Sequence, residues 1–335
     1  MLRAHGGRPP EGVLDFSSPI NPLGPPKALV ESIERMVRER VYVKYPDYSY
    51  GKLKEAIAGY YNLNVENVMP LSGAAEGLSL LILALKPRYL ITVEPAFGDH
   101  KIASRALGIP WVTVPYALEG LEYRLDPGML CGLPGELRRD SLVILSNPNN
   151  PSGSLTPKNV MEELLSCLDK SSILVVDEAF SDFTGDSESF LWSSLGDVVV
   201  LRSFTKILAM PGLRAGFMYT LNTRINALID SVRQPWNVNI IVSEALRELL
   251  EEGNYLKQFT GETLRLIESE RSFLASNMRV LGFQVYNSKA PFLLVKHSEP
   301  HPEFNSRLAA RGVYVRDASS FAYLSPYHSR VSVRL

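Results

Sequence analysis

Between residues 68 and 222 the chain alternates two textures. Short apolar runs recur as Tyr89-Leu90-Ile91-Thr92-Val93, Trp111-Val112-Thr113-Val114, Leu142-Val143-Ile144-Leu145, Ile173-Leu174-Val175-Val176, Val198-Val199-Val200-Leu201 and Ala215-Gly216-Phe217-Met218-Tyr219. Runs this short and this apolar predict strands buried on both faces. Segments with helical spacing lie between several of them, near 72–85, 98–107 and 157–168. Strands that alternate with helices predict an α/β fold: a large domain with a mostly parallel sheet between helices.

The flanking segments read differently. The first 25 residues are rich in Gly, Pro, Ser and Asn, and predict an extended arm. Pro25-Pro26 opens a helix over 27–40, with Leu29, Ile33, Met36 and Val37 on one face. A loop, Tyr45-Pro46-Asp47-Tyr48-Ser49-Tyr50-Gly51, precedes a helix over 53–61. Beyond 222 come helices near 224–232, 241–250 and 255–280, then short strands and one more helix. That predicts a smaller α+β domain. The expected division is an arm at 1–26, a large domain at 27–240 and a small domain at 241–335.

Composition narrows the class. The 335 residues are 45% hydrophobic and 21% charged, as in a soluble globular enzyme. A formal net charge of -1 supplies no global pull toward nucleic acid or a membrane surface. The longest apolar stretch, 78–85, is too short to span a bilayer. The start Met1-Leu2-Arg3-Ala4-His5-Gly6-Gly7 lacks the apolar core of a signal peptide, so a cytoplasmic location is expected. Cys131 and Cys167 are expected to be reduced thiols. The five histidines are read as holding no zinc, so no metal is expected.

The chemistry gathers after the strands. Ser203-Phe204-Thr205-Lys206 directly follows an apolar run, and Arg214 stands eight residues beyond the lysine in Pro211-Gly212-Leu213-Arg214. Most lysines are solvated surface charges. Hydroxyls at one and three positions before Lys206, and a nearby Arg, are the groups that grip a phosphate. Asp177, 29 residues before Lys206, falls at the carboxyl end of a predicted parallel strand, where open α/β sheets bind ligands. An acid there is often only a cap; beside Lys206 it can pair with a pyridinium nitrogen. An amine, a carboxylate, hydroxyls and an Arg are the set that holds pyridoxal phosphate (PLP). Ser72-Gly73-Ala74-Ala75-Glu76 opens a helix whose free amides suit a phosphate, or is an ordinary cap by Ser72. Asn147-Pro148-Asn149-Asn150-Pro151-Ser152-Gly153 and Phe97 also follow strands; the first can present asparagines, the second can stack on a ring or simply fill core. Arg330 and Arg334 share one face of a predicted strand, either solvated or as a carboxylate clamp.

With Ser-x-Thr-Lys-(x)7-Arg, Asp-Glu-Ala-Phe, Asn-Pro-Asn-Asn-Pro-Ser-Gly and Tyr-Pro-Asp in place, the chain resembles the class I/II aminotransferases of fold type I over almost its full length. The resemblance implies PLP as cofactor, with Lys206 carrying it and Asp177 at its ring nitrogen. Asn150 would bond the ring hydroxyl, with Phe97 on one ring face and Ala179 on the other. Gly73, Ala74, Ala75, Ser203, Thr205 and Arg214 would hold the phosphate, helped by Tyr45 of a neighbouring subunit in a homodimer with shared sites. Relatives usually continue past Arg334 with another helix and often carry Tyr where His100 stands.

Two branches of that family compete. His5-Gly6-Gly7, Phe16-Ser17-Ser18-Pro19-Ile20-Asn21-Pro22-Leu23-Gly24, Phe180 and Arg334 resemble the threonine-phosphate decarboxylases of the cobalamin pathway. These convert L-threonine O-3-phosphate into (R)-1-amino-2-propanol O-2-phosphate and CO2. The alternative is a histidinol-phosphate or related aminotransferase. A non-catalytic binding protein is disfavoured by intact Lys206, Asp177 and Arg214. A substrate with two anions calls for two cationic sites. The expectation is Arg334 for the carboxylate, and Arg316 with His5 and Asn21 for the substrate phosphate.

Overall fold

The computed structural model describes residues 5–335; residues 1–4 of the arm lie outside the described residues. The six apolar runs form six strands of one seven-stranded sheet. Its order is Val68–Leu71, Gly216–Tyr219, Val198–Ser203, Ile173–Asp177, Ser141–Ser146, Tyr89–Glu94 and Trp111–Pro115. All pairings are parallel except those of Gly216–Tyr219, which runs antiparallel to both neighbours.

The inner strands are continuous in hydrophobicity because each faces two cores, whereas the edge strand Trp111–Pro115, expected to be buried on both faces, sends only Val112 and Val114 toward a core and leaves Trp111 exposed. Val143, Leu145, Val176, Val198 and Val200 join one buried cluster. Their alternates Leu142, Ile144, Val175, Val199 and Leu201 join another. Helix Ala74–Leu85 packs on the second side through Leu78, Leu81 and Ile82, all buried.

A second, four-stranded antiparallel sheet is built from Gln284–Val285, Phe292–Lys296, His328–Ser332 and Arg316–Asp317, with its own apolar cluster around Val285, Leu293, Val295 and Val331. The 28-residue helix Gly253–Val280 leads into it. The arm contributes Leu14–Asp15, paired in parallel with Val313–Tyr314.

Several expectations change. Strand Val68–Leu71 was not predicted, because Pro70 removes a ladder donor; the strand lies at the sheet edge, where that is tolerated. The hairpin Ala117–Glu119 with Glu122–Arg124 also escaped notice, its turn closed by Gly120 at φ 61. The segment expected as one helix over 98–107 is a 3-10 turn, Gly98–Lys101, followed by helix Ile102–Ala106. The cysteines are not two free thiols. Cys131 and Cys167 are joined as a disulfide, with Cα atoms 5.0 Å apart, because helix Pro127–Cys131 packs beside helix Lys158–Ser166. Among the described residues no helix is long and apolar enough to cross a membrane.

Candidate active site

Every parallel strand ends toward the same edge, and the chemistry collects there. Asp177 is the last residue of Ile173–Asp177, and Asn150 follows Ser141–Ser146. Phe97 follows Tyr89–Glu94, while Ala74 and Ala75 open the helix after Val68–Leu71. Lys206 lies in the one-turn helix Phe204–Ile207 after Val198–Ser203. Arg214 precedes Gly216–Tyr219; the reversed direction of that strand brings its start to this edge. These residues surround a cavity of about 320 Å³, together with Ala179, Phe180, Ser146, Asp99, Arg330 and the arm residues His5, Gly6, Ser17, Ser18 and Pro19.

Lys206 is pushed down to about 8, chiefly by burial and then by the guanidiniums of Arg330 and Arg214, with Asp177 opposing. Its residual exposure faces the cavity. A lysine so placed has its amine available as a nucleophile. The carboxylate of Asp177 is held by Ala179 N at 3.2 Å, His100 Nε2 at 3.2 Å and the more distant Ser146 Oγ at 3.5 Å. The hydroxyls of Ser203 and Thr205 are 2.7 Å apart and both line the cavity. Gly73, at φ 84, leaves room for Arg214: a Cβ there would stand 2.8 Å from Arg214 Nη2.

Arg330 is the residue that sequence reasoning undervalued. Its Nη1 donates to Asn150 Oδ1 at 2.6 Å and its Nη2 to the Ser17 carbonyl at 2.9 Å, while the buried Nε has no partner among the described residues. Burial pushes this guanidinium down to about 9, with Arg316 adding to the effect and Asp15 opposing. Arg316 stands directly opposite on the neighbouring strand.

Other expected positions fall elsewhere. Arg334 is not among the residues lining the cavity; it donates to the carbonyls of Asp15 at 2.8 Å and Ser18 at 2.7 Å. The strand His328–Ser332 ends between the two arginines, and Arg334 lies past its end, on the arm. Asn21 does not reach the cavity either. Its amide group donates to the Ile207 carbonyl and Thr263 Oγ1, at 2.9 and 2.8 Å, and its backbone N–H to the Lys206 carbonyl at 3.0 Å. Arg316 donates to the Asp317 carbonyl and to Ser320 Oγ. Tyr45 is 76% exposed and stacks on Trp236 at 4.4 Å, away from the cavity of its own chain. His297 and His301 are four residues apart, a metal-like spacing, yet both imidazoles meet Ser329 Oγ at 2.9 Å. Among the described residues no group of three or more His, Cys, Asp or Glu side chains is placed to hold a metal.

Free amides at a helix start, a hydroxyl pair, an arginine over a glycine, a buried amine and a supported carboxylate fit a phosphorylated pyridine aldehyde. The comparisons agree. The model of the family "Aminotransferase class I and II" matches residues 11–335, and the chain belongs to that family. It is 31% identical to the histidinol-phosphate aminotransferase of Thermococcus gammatolerans, over 89% of this chain and 82% of that one. It is 30% identical to a putative threonine-phosphate decarboxylase of Caldanaerobacter subterraneus, over 95% of this chain and 85% of that one. It is also 28% identical to the adenosylcobalamin biosynthesis bifunctional protein CobDQ of Leptospira interrogans, over 99% of this chain; the match spans only 38% of that longer protein. Among solved structures, the histidinol-phosphate aminotransferase of Clostridium acetobutylicum superposes with TM-score 0.86 at 28% identity, over 96% of this chain and 94% of that one. The L-threonine-O-3-phosphate decarboxylase of Porphyromonas gingivalis shares the fold, with TM-score 0.80 at 20% identity over 96% and 94%. So does the histidinol-phosphate aminotransferase of Sinorhizobium meliloti in complex with pyridoxal-5'-phosphate, with TM-score 0.82 at 21% identity over 95% and 86%. The protein is a PLP-fold member of this family, and PLP is its cofactor.

Proposed function

We propose that the chain is a PLP-dependent enzyme acting on a small phosphorylated amine, and that its reaction is decarboxylation of threonine phosphate. The observation that carries the reading is the arm. His5, Gly6, Ser17, Ser18 and Pro19 form one wall of the cavity that Lys206 enters, beside the buried and only partly bonded Arg330. A buried guanidinium with no carboxylate among its described hydrogen-bond and ion-pair partners calls for an anion from outside. Arg330 replaces Arg334 as the group for the substrate carboxylate; His5, which lines the cavity, is the group for its phosphate, with Arg316 outside the cavity lining and opposite Arg330 on the neighbouring strand.

PLP, when bound, supplies an electron sink for charge that develops at the substrate α-carbon. The chain does the rest. Asp177, supported by His100 and Ser146, would hold positive charge at the ring nitrogen. Phe97 and Ala179 would flank the ring, Asn150 would bond its hydroxyl, and Gly73, Ala74, Ala75, Ser203, Thr205 and Arg214 would hold its phosphate. Arg330 would hold and orient the substrate carboxylate that leaves as CO2, and Lys206 would hold the proton that takes its place on the α-carbon. We extend the proposal to a homodimer in which Tyr45 reaches the phosphate site of the neighbouring chain. The exposed aromatic pair Tyr45 and Trp236 supports it.

Transamination of histidinol phosphate is the second reading, and the comparisons favour it more strongly than the first: the structure matching at TM-score 0.86 and 28% identity carries that activity in its name. One experiment separates the two. The PLP-loaded protein is given threonine phosphate and assayed for CO2, then histidinol phosphate with 2-oxoglutarate and assayed for glutamate. CO2 without glutamate is expected; glutamate without CO2 establishes the second reading and overturns the first.

A further inference from the structure

Arg334 lies outside the cavity, yet both of its recorded hydrogen bonds go to the segment that walls it. Nε donates to the Asp15 carbonyl and Nη2 to the Ser18 carbonyl, at 2.8 and 2.7 Å. One guanidinium thus spans the two ends of a four-residue turn, which its rigid donor fork suits and an ammonium does not. Inside the turn, the Ser17 N–H donates to Asp15 Oδ1 at 2.7 Å. Ser17 Oγ in turn accepts the N–H of Gly7 at 2.8 Å. Gly6 lies flat on the same turn: a Cβ there would overlap the Ser17 carbonyl. The chain of contacts ends at His5, whose ring sits 5.8 Å from Phe97 and whose Nε2 is 3.4 Å from Asp99 at the cavity wall.

We propose that Arg334 is a positioning residue that staples the turn Asp15–Ser18 against the second sheet, and through Ser17 and Gly7 sets His5 at the substrate pocket. The arm is then the adjustable wall of the site; Arg330 Nη2 holds the Ser17 carbonyl at 2.9 Å, and Arg334 fixes the two flanking carbonyls without touching the substrate. The strand supports the same geometry: the Ser332 N–H donates to the Phe16 carbonyl at 2.8 Å, so the arm is anchored on the strand that carries Arg330. Without the staple the turn keeps its backbone register and loses its hold on 5–7.

The inference rests on the proposed reading only for the choice of substrate. The test compares wild type, Arg334→Met and Arg334→Lys, all PLP-loaded, by hydrogen exchange of the 5–18 segment and by steady-state kinetics with threonine phosphate. Arg334→Met is expected to exchange at least about tenfold faster in this segment and to raise KM about tenfold or more, the order of one or two hydrogen bonds from a charged donor. Its kcat stays within about threefold and its PLP absorbance is unchanged; Arg334→Lys, which reaches one carbonyl at a time, falls between. Unchanged exchange in Arg334→Met overturns the staple, and so does a loss confined to kcat, which would place Arg334 at the reacting group. If wild type leaves threonine phosphate untouched, the substrate reading fails while the exchange data still decide the staple. If Arg334→Met does not fold, Gly6→Ala displaces the far end of the same path with Arg334 intact. Faster exchange and a raised KM are expected there; wild-type values for both overturn the proposal.

Discussion

Replacing Lys206 by Met removes a group the apoprotein holds at a cost. An ordinary lysine releases its proton near 10.5, and Lys206 does so at about 8. The gap corresponds to about 3 kcal/mol of preference for the neutral amine in the folded state. That figure is a ceiling, because part of the side chain opens into the cavity. The sign follows from proton counts. Below pH 8 both states are protonated, and the folded state carries the full penalty. Between about 8 and 10.5 the unfolded chain binds the extra proton, so wild-type stability rises with pH. Above 10.5 the penalty has gone. The PLP-free Lys206→Met variant is therefore expected to be more stable than PLP-free wild type at pH 7, by up to about 3 kcal/mol. For 335 residues, an unfolding entropy of about 2.1 cal/mol/K per residue turns this into about 4–5 °C in Tm. The assay is thermal denaturation of both PLP-free proteins at pH 7 and at pH 10. No gain at pH 7, or an equal gain at both values, refutes the claim that burial and the two arginines strain this amine.

Gly73→Ala puts a Cβ against Arg214 at a left-handed backbone position, so equilibrium titration should show PLP binding weakened about tenfold or more. Arg202 is 1% exposed and pairs with Glu178, Asp182 and Asp186; Arg202→Met strands these carboxylates, at about 3–5 kcal/mol, read as a fall in Tm. Glu178 is pushed up to about 7, chiefly by burial, so its contribution is full below about 4.5 and is lost as pH rises through 7. Glu178→Gln should flatten that slope, and a variant whose Tm falls between pH 5 and pH 8 as steeply as wild type would show the assignment wrong.

Much of the site was legible because its residues follow apolar runs. Lys206, Asp177, Asn150 and Phe97 each come after a strand that hydrophobicity alone predicts, and parallel strands place their ends at one edge. His100 follows no apolar run, and Ser146, which directly follows the run 142–145, is too common a residue type to stand out there. Each is defined by contact with Asp177, 77 and 31 residues away in sequence. Asn21 looked like a substrate group because it stands in a polar arm; it is spent on bracing the Lys206 helix. Cys131 and Cys167 are 36 residues apart, and only the packing of two helices brings them together.

The arginines mark the boundary most clearly. Local order alone groups the proposed cofactor grip: Ser203, Thr205, Lys206 and Arg214 lie between the end of strand Val198–Ser203 and the start of Gly216–Tyr219, and the apolar runs set that segment's place. Alternation also puts Arg330 and Arg334 on one face, because the side-chain period of a strand is two. It cannot say what lies beyond that face. Arg330 meets both the pocket and the Ser17 carbonyl of the arm, and Arg334 meets the arm outside the pocket, where residues 14–15 pair with 313–314 and draw the start of the chain across its end. That pairing joins segments about 300 residues apart, and backbone hydrogen bonds of that range leave no periodic trace in sequence.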